Sequence, residues 1–147
     1  MKLRICWIQQ RPGKDKSTAT RELTDEYLKR LSHYAQIETV EVADESALFK
    51  KLDRRGNEAF IFMDSRGKQF TSEEFSTLIG DLQDRGAQVT FAIGGPDGWT
   101  DEALRSANMK ISLGKITLPH ELARVVLLEQ IYRAFTILAK HPYHCGH

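Results

Sequence analysis

Charged and apolar side chains alternate through KLRICWI (2–8) before the run turns apolar, the pattern of a strand entering a core. Polar, turn-rich QQRPGKDKSTAT (9–20) follows. Over 20–35, Leu23, Tyr27, Leu28, Leu31 and Tyr34 recur at helical spacing, which predicts a helix with Thr20 or Thr24 as its cap. QIETVEVAD (36–44) alternates again as a second strand, and ESALFKKLDRR (45–55) reads as a helix stopped by Gly56. The short apolar run AFIFMD (59–64) has the composition of an interior parallel strand, and SRGK (65–68) that of a turn.

Thr71 or Ser72 followed by paired glutamates predicts the start of a helix over 71–86, with Phe75, Leu78, Ile79 and Leu82 inward and Gly86 as its stop. AQVTFAIGG (87–95) is a strand running into a glycine pair, and TDEALRSAN (100–108) has the cap and acidic first turn of a short helix. MKISLGKITLPHE (109–121) supplies one more strand, a loop around Gly114, and Pro119, which opens a last helix over 120–140. Strands alternating with helices, joined by crossover-length connections, predict a parallel α/β sheet. No repeat or low-complexity linker interrupts the pattern, so residues 1–147 read as one domain.

Composition narrows this picture only slightly. At 41% hydrophobic and 28% charged residues the chain belongs with ordinary folded proteins and not with disordered tails. Its net charge of +1 does not decide for or against nucleic acid. The distribution is more informative, at +4 over residues 1–35, −5 over 36–100 and +2 over 101–147. Two basic ends around an acidic middle form either a weak platform for a polyanion or ordinary solvated surface. Cys6 and Cys145 are the only cysteines, too few for a disulfide framework, and no signal-peptide pattern or 18-residue apolar run is present. The expectation is a cytoplasmic protein with reduced thiols.

Candidate chemistry starts at FAIGGPDGW (91–99), where Gly94, Gly95 and Gly98 follow a buried strand. In open α/β sheets ligands bind beyond the carboxyl ends of strands, and glycines let backbone approach them; a plain tight turn has the same composition. The spacing matches neither the dinucleotide G-x-G-x-x-G nor a phosphate loop ending in Gly-Lys-Ser/Thr, which argues against a redox nucleotide enzyme and a P-loop ATPase. The last helix carries Leu122, Val125, Val126, Leu127, Leu128, Ile131, Tyr132, Phe135, Ile137 and Leu138. That arc is wider than one sheet face requires, so it predicts either a homodimer interface or a helix buried on two sides within one chain.

FAIGGPDGW, ISLGKITLPHELARVVLLEQIYRAF (111–135) and the terminal HPYH (141–144) together resemble the small SPOUT-class methyltransferases that methylate N3 of a pseudouridine in bacterial large-subunit ribosomal RNA. Within the last helix the resemblance rests on His120, Arg124, Glu129, Gln130, Tyr132, Arg133 and Ala134. It implies a parallel α/β fold whose C-terminal part forms a deep trefoil knot, a homodimer, S-adenosyl-L-methionine as cofactor, and action on rRNA in the assembled ribosome, with neither membrane nor DNA as partner. By resemblance the cofactor pocket comprises Met63, Gly94, Leu113, Gly114, Lys115, Ile116, Thr117 and Leu118. Arg124 and Arg133, expected on the polar edge of the last helix, are candidates for RNA phosphate contact.

Two other classes share this scaffold, a non-catalytic ribosome-associated protein and a ribose methyltransferase. The chain also departs from the family pattern. Its Gly-Lys pair after the first strand is displaced to Gly13 and Lys14, Gly114 stands where family members tend to have Ser, Lys140 lies near a usual Gly, and Cys145 takes the place of a terminal cation. HPYHCGH (141–147) offers zinc-type ligands in His141, His144, Cys145 and His147, but the spacing is not that of a finger, and no metal is expected. The resemblance places Tyr143 and His144 over the target base, Tyr143 to stack on it and His144 to contact it or shuttle its proton, in a tail that orders when RNA docks.

Overall fold

The computed structural model describes residues 1–11, 13–52 and 58–144, the side chain of His144 excepted. Five strands, β1 (Lys2–Ile8), β2 (Gln36–Val42), β3 (Glu58–Gln69), β4 (Gln88–Ile93) and β5 (Met109–Ser112), form one parallel sheet in the order β2-β1-β4-β3-β5. Among the described residues five helices, α1 (Thr18–Leu31), α2 (Glu45–Lys51), α3 (Ser72–Asp84), α4 (Asp101–Arg105) and α5 (His120–Leu138), connect or follow them, and a 3-10 turn at Pro142–His144 follows α5.

The strand alternation sorts side chains onto two faces. Leu3, Ile5, Trp7, Ile61, Met63, Val89, Phe91 and Ile93 meet Leu31, Phe75, Ile79, Leu82, Leu127, Leu128, Ile131 and Phe135 of α1, α3 and α5. On the opposite face Cys6, Ile8, Val40, Val42, Phe60, Phe62 and Ala92 meet Leu48 and Leu52 at α2, Trp99, and Ala103 and Leu104 of α4. The result is three layers with the sheet in the middle.

Local signals act as expected at several ends. Thr71 and Glu74 form a reciprocal capping box on α3, and the Thr100 hydroxyl accepts from the Ala103 amide to cap α4. The first helix starts earlier than its spacing suggests, at Thr18, and neither Thr20 nor Thr24 caps it. Thr20 binds Asp15 and the Ser17 carbonyl, and Thr24 is buried and bonded to Arg124. The helix expected over 45–55 ends sooner, at Lys51, with Leu52 already extended; Gly56, its expected stop, lies outside the described residues.

SRGK is not a turn that ends a strand. The third strand continues through it to Gln69, and its register against β5 slips between Met63 and Lys68, so that Ile111 stands opposite both. Gly67 makes the close approach feasible: a Cβ there would lie 2.6 Å from the Ile111 nitrogen and from the Lys110 carbonyl carbon, with no flexible side chain to yield.

Helices α3 and α5 end alike. The Ala87 amide donates to Leu82 and that of Gly86 to Gln83, while the His141 amide donates to Thr136 and that of Lys140 to Ile137, two Schellman closures. Gly86 has φ +67° in the first, and Lys140 has φ +58° in the second. A lysine there bears a left-handed conformation that glycine adopts freely. Lys140→Gly is therefore expected to raise the unfolding free energy by about 0.5–1 kcal/mol, read as a higher urea midpoint at unchanged m-value.

The last helix is sandwiched within the chain. It packs on α1, α3 and the sheet, and Val125, Leu127, Leu128, Ile131 and Phe135 are buried. Burial on two sides thus accounts for most of the wide apolar arc, leaving Leu122 and Leu138 as its exposed members. No described helix is long and apolar enough to cross a membrane.

Candidate active site

The carboxyl ends of β3, β4 and β5 frame a cleft of about 220 Å³. β4 and β5 are not neighbours, because β3 lies between them, yet the loops that follow both reach this cleft. Met63, Gly94, Leu113, Gly114, Ile116, Thr117 and Leu118 all line it, as the family resemblance implies. Lys115 does not; it is exposed. Ile116 is 75% exposed, an unusual state for a large aliphatic side chain at the mouth of a cleft.

Trp99 organises the glycine turn, a role that glycine spacing does not reveal. Its indole Nε1 donates to the Met63 carbonyl at 3.0 Å, tying the turn to the end of β3. The ring also packs on Phe62 at 4.6 Å. Gly94 lies against this ring, where a Cβ would come within 3.2–3.3 Å of it. The Gly98 amide closes the turn on the Gly95 carbonyl at 3.0 Å. Across the cleft, the Ser112 hydroxyl donates to the Gly114 carbonyl at 2.8 Å and accepts from its amide at 3.1 Å, which sets the start of the second loop.

Among the described residues Asp64 and His120 are the ionisable groups that line the cleft, and no lysine or arginine does. Asp64 is held by Arg66 at 3.0 Å. A second, largely apolar cavity of about 270 Å³ shares Met63 and 111–114 with the first and is closed by Phe70, Phe75, Val126 and Leu127. The Ser72 hydroxyl donates to the Gln130 side-chain oxygen at its edge, at 2.7 Å.

Arg124 is not on the polar edge of α5. It is 1% exposed, ion-paired with an equally buried Asp15, bonded to the Thr24 hydroxyl at 2.9 Å, and stacked over Trp7 at 4.9 Å. Its guanidinium is fully committed inside the protein, so it anchors the first loop and offers nothing to a phosphate. Arg21 joins Asp15 at 2.7 Å, and Glu121 accepts from the Lys16 amide and the Thr20 hydroxyl at 3.1 Å. Burial raises the Asp15 pKa, but hydrogen bonds from Arg124 and Thr20 and the charges of Arg124 and Arg21 outweigh it and hold the carboxyl below its usual range. Glu121 is likewise lowered, burial being outweighed by bonds from the Lys16 amide and Thr20.

The tail as far as Tyr143 packs on α5. The Tyr143 hydroxyl donates to Glu129 at 3.0 Å, its ring meets Tyr132 edge-on at 4.8 Å, and the Arg133 guanidinium lies 5.1 Å over it. Burial and the bonds with Tyr27 and Glu129 push the phenol above its usual pKa. Arg133 is partly exposed and paired with Glu129 at 2.7 Å. Glu129 lies nine residues beyond His120 on α5, roughly 13 Å along the helix, and Tyr143 does not line the cleft of its own chain.

Cys6 is fully buried, and burial pushes its thiol pKa up to about 12, an unreactive state. Cys145 and His147 lie outside the described residues, and among the described residues no group of three His, Cys, Asp or Glu side chains is placed to hold a metal.

The family described as "Predicted SPOUT methyltransferase" matches residues 1–144. A Koribacter versatilis protein named "Ribosomal RNA large subunit methyltransferase H" is 55% identical over 150 residues, covering all of both chains. A Geobacter sulfurreducens protein of the same name is 40% identical and covers 98% of this chain and 99% of its own. Among solved structures, a probable methylase family protein from Haemophilus influenzae shares the fold at TM-score 0.61 and 10% identity, covering 98% of this chain and 70% of that one. The SpoU methyltransferase AviRb from Streptomyces viridochromogenes, solved with AdoMet, does so at TM-score 0.54 and 13% identity, covering 90% and 57%. With the match running from the first strand through the 3-10 turn, and with it the implied trefoil knot, the chain belongs to the SPOUT methyltransferase family.

Proposed function

We propose that this protein, as a homodimer, transfers the methyl group of S-adenosyl-L-methionine to N3 of a pseudouridine in bacterial 23S ribosomal RNA within the assembled ribosome. The observation that carries the reading is the cleft itself. Seven residues of three separate strand ends converge on it, and among the described residues its ionisable groups are a carboxylate and an imidazole with no lysine or arginine. Such a lining suits a sulfonium cofactor, whose adenine takes apolar walls and backbone partners and which presents no phosphate to be cradled. Methyl transfer needs the attacking nitrogen in line with the carbon–sulfur bond, so a site built from taut strand ends contributes chiefly by positioning.

The dimer supplies what a single chain lacks. Tyr143 is held by Glu129, about two and a half turns of helix beyond His120 of its own cleft, which suits a tail that serves the cleft of the partner. There Tyr143 stacks on the base, His144 makes a polar contact to it, and Arg133 contacts phosphate. Exposed Ile116 and Leu122 beside the cleft give such a pairing apolar surface to cover.

Incubation with methyl-labelled cofactor tests the reading. Ribosomes lacking this one mark are expected to take up label and extracted rRNA far less, while light scattering reports twice the 16.8 kDa chain mass. Absence of label in either RNA would end it.

A further inference from the structure

His120 is the first residue of α5 and lines the cleft, with its side chain 17% exposed. Its Nε2 lies 3.3 Å from Oε1 of Gln9, a buried residue just past the end of β1. The orientation of that amide is settled by its other end, because Gln9 Nε2 donates to the Lys14 carbonyl at 2.8 Å. An amide oxygen only accepts, so His120 Nε2 must carry the hydrogen, and in the neutral ring Nδ1 then holds the lone pair. Among the described residues Nδ1 has no hydrogen-bond partner.

From this arrangement, and resting on the methyl transfer proposed above, we propose that His120 is the catalytic base that takes the N3 proton of the target nucleobase, with Gln9 as the positioning residue that sets its tautomer. The N3–H bond breaks toward Nδ1. The electron pair left on N3 forms the bond to the methyl carbon, and the carbon–sulfur pair leaves with sulfur. The products are the N-methylated base, a neutral thioether and an imidazolium, which returns its proton to water.

The carboxylates around the ring favour that outcome, against the positive N-terminal end of α5, at which His120 is the first residue. On α5 itself, Glu121 Oε2 stands 3.9 Å from Nε2, the side away from the acceptor nitrogen. The first loop holds this carboxylate in place through the Lys16 amide and Thr20. On β3, Asp64 lines the same cleft. The Lys14 carbonyl binds Gln9. Base, hydrogen-bonded orienter and nearby carboxylate reproduce the logic by which an imidazole is held in one tautomer and its cation is stabilised.

His120→Gln tests this, because its amide nitrogen still donates to Gln9 while the base is gone. The expected result on ribosomes is a kcat lower by about 10²-fold or more, with cofactor affinity by calorimetry and the KM for ribosomes little changed, and loss of the acid limb of the pH–kcat profile. Nitrogen-15 spectra of histidine-labelled, cofactor-free protein are expected to show His120 as the Nε2–H tautomer, and Gln9→Leu to mix the tautomers with a smaller loss of kcat. A His120→Gln enzyme with wild-type kcat, a loss explained wholly by weaker cofactor binding, or an Nδ1–H tautomer would overturn the assignment. Wild-type protein that methylates no ribosome would instead overturn the pseudouridine reading, and this role with it.

Discussion

Arg124→Ala is expected to destabilise the protein by about 3–5 kcal/mol, a large share of the total for a domain of this size. The substitution strands Asp15, 1% exposed at its side chain, without its main counter-charge, and removes a guanidinium stacked on Trp7. The first loop, which carries Gln9 toward the cleft and holds Glu121, loses its anchor as well. Urea denaturation measures the effect. A variant of wild-type stability that binds ribosomes less tightly would restore Arg124 to the RNA surface and remove it from the core.

The same network sets an acid limit. Asp15 and Glu121 have folded-state pKa values below their unfolded ones, so across that window the unfolded chain binds more protons and stability rises with pH. Their contribution is fully present above the ordinary carboxylate range near about 4 and is lost as pH falls through the lowered folded values. Wild-type protein should therefore lose stability more steeply on acidification than Arg124→Ala, in which Asp15 keeps Arg21 and Thr20 but has lost the main partner that lowers it.

Gly94→Val is expected to abolish measurable S-adenosyl-L-methionine binding while leaving the sheet folded. Even a bare Cβ would press within 3.2–3.3 Å of the Trp99 ring, and valine adds two methyl groups beyond it. Overpacking of this kind costs about 1–3 kcal/mol, and the indole yields only by releasing the Met63 carbonyl, a buried bond of 3.0 Å. Both structures it disturbs, the turn after β4 and the end of β3, are walls of the cleft. Calorimetry on a variant with wild-type circular dichroism decides the point; undiminished affinity would place the cofactor elsewhere.

Much of this was legible because short-range rules governed it. The Thr71 capping box, Gly86 as a helix stop and the two faces of each strand follow from spacing alone. The continuation of β3 through SRGK did not, since its composition is that of a turn and Gly67 is there for the backbone of β5, a partner more than 40 residues away. Arg124 reads as a surface charge for the same reason: its partner Asp15 lies 109 residues back in the chain. Cleft residues came from the resemblance, while Trp99, Gln9 and His120 gained their parts only when the strand ends met. Trp99 carried a signal in its place beside the glycines; Gln9 carried none.

The central claim is that this cleft delivers a methyl group to a base nitrogen of ribosomal RNA. Nucleoside digestion and mass spectrometry of 23S rRNA, taken from ribosomes treated with the protein and labelled cofactor, tests it most directly. All the label is expected in one N3-methylated pseudouridine; label on a ribose 2′ oxygen, or on no nucleoside at all, would refute base methylation.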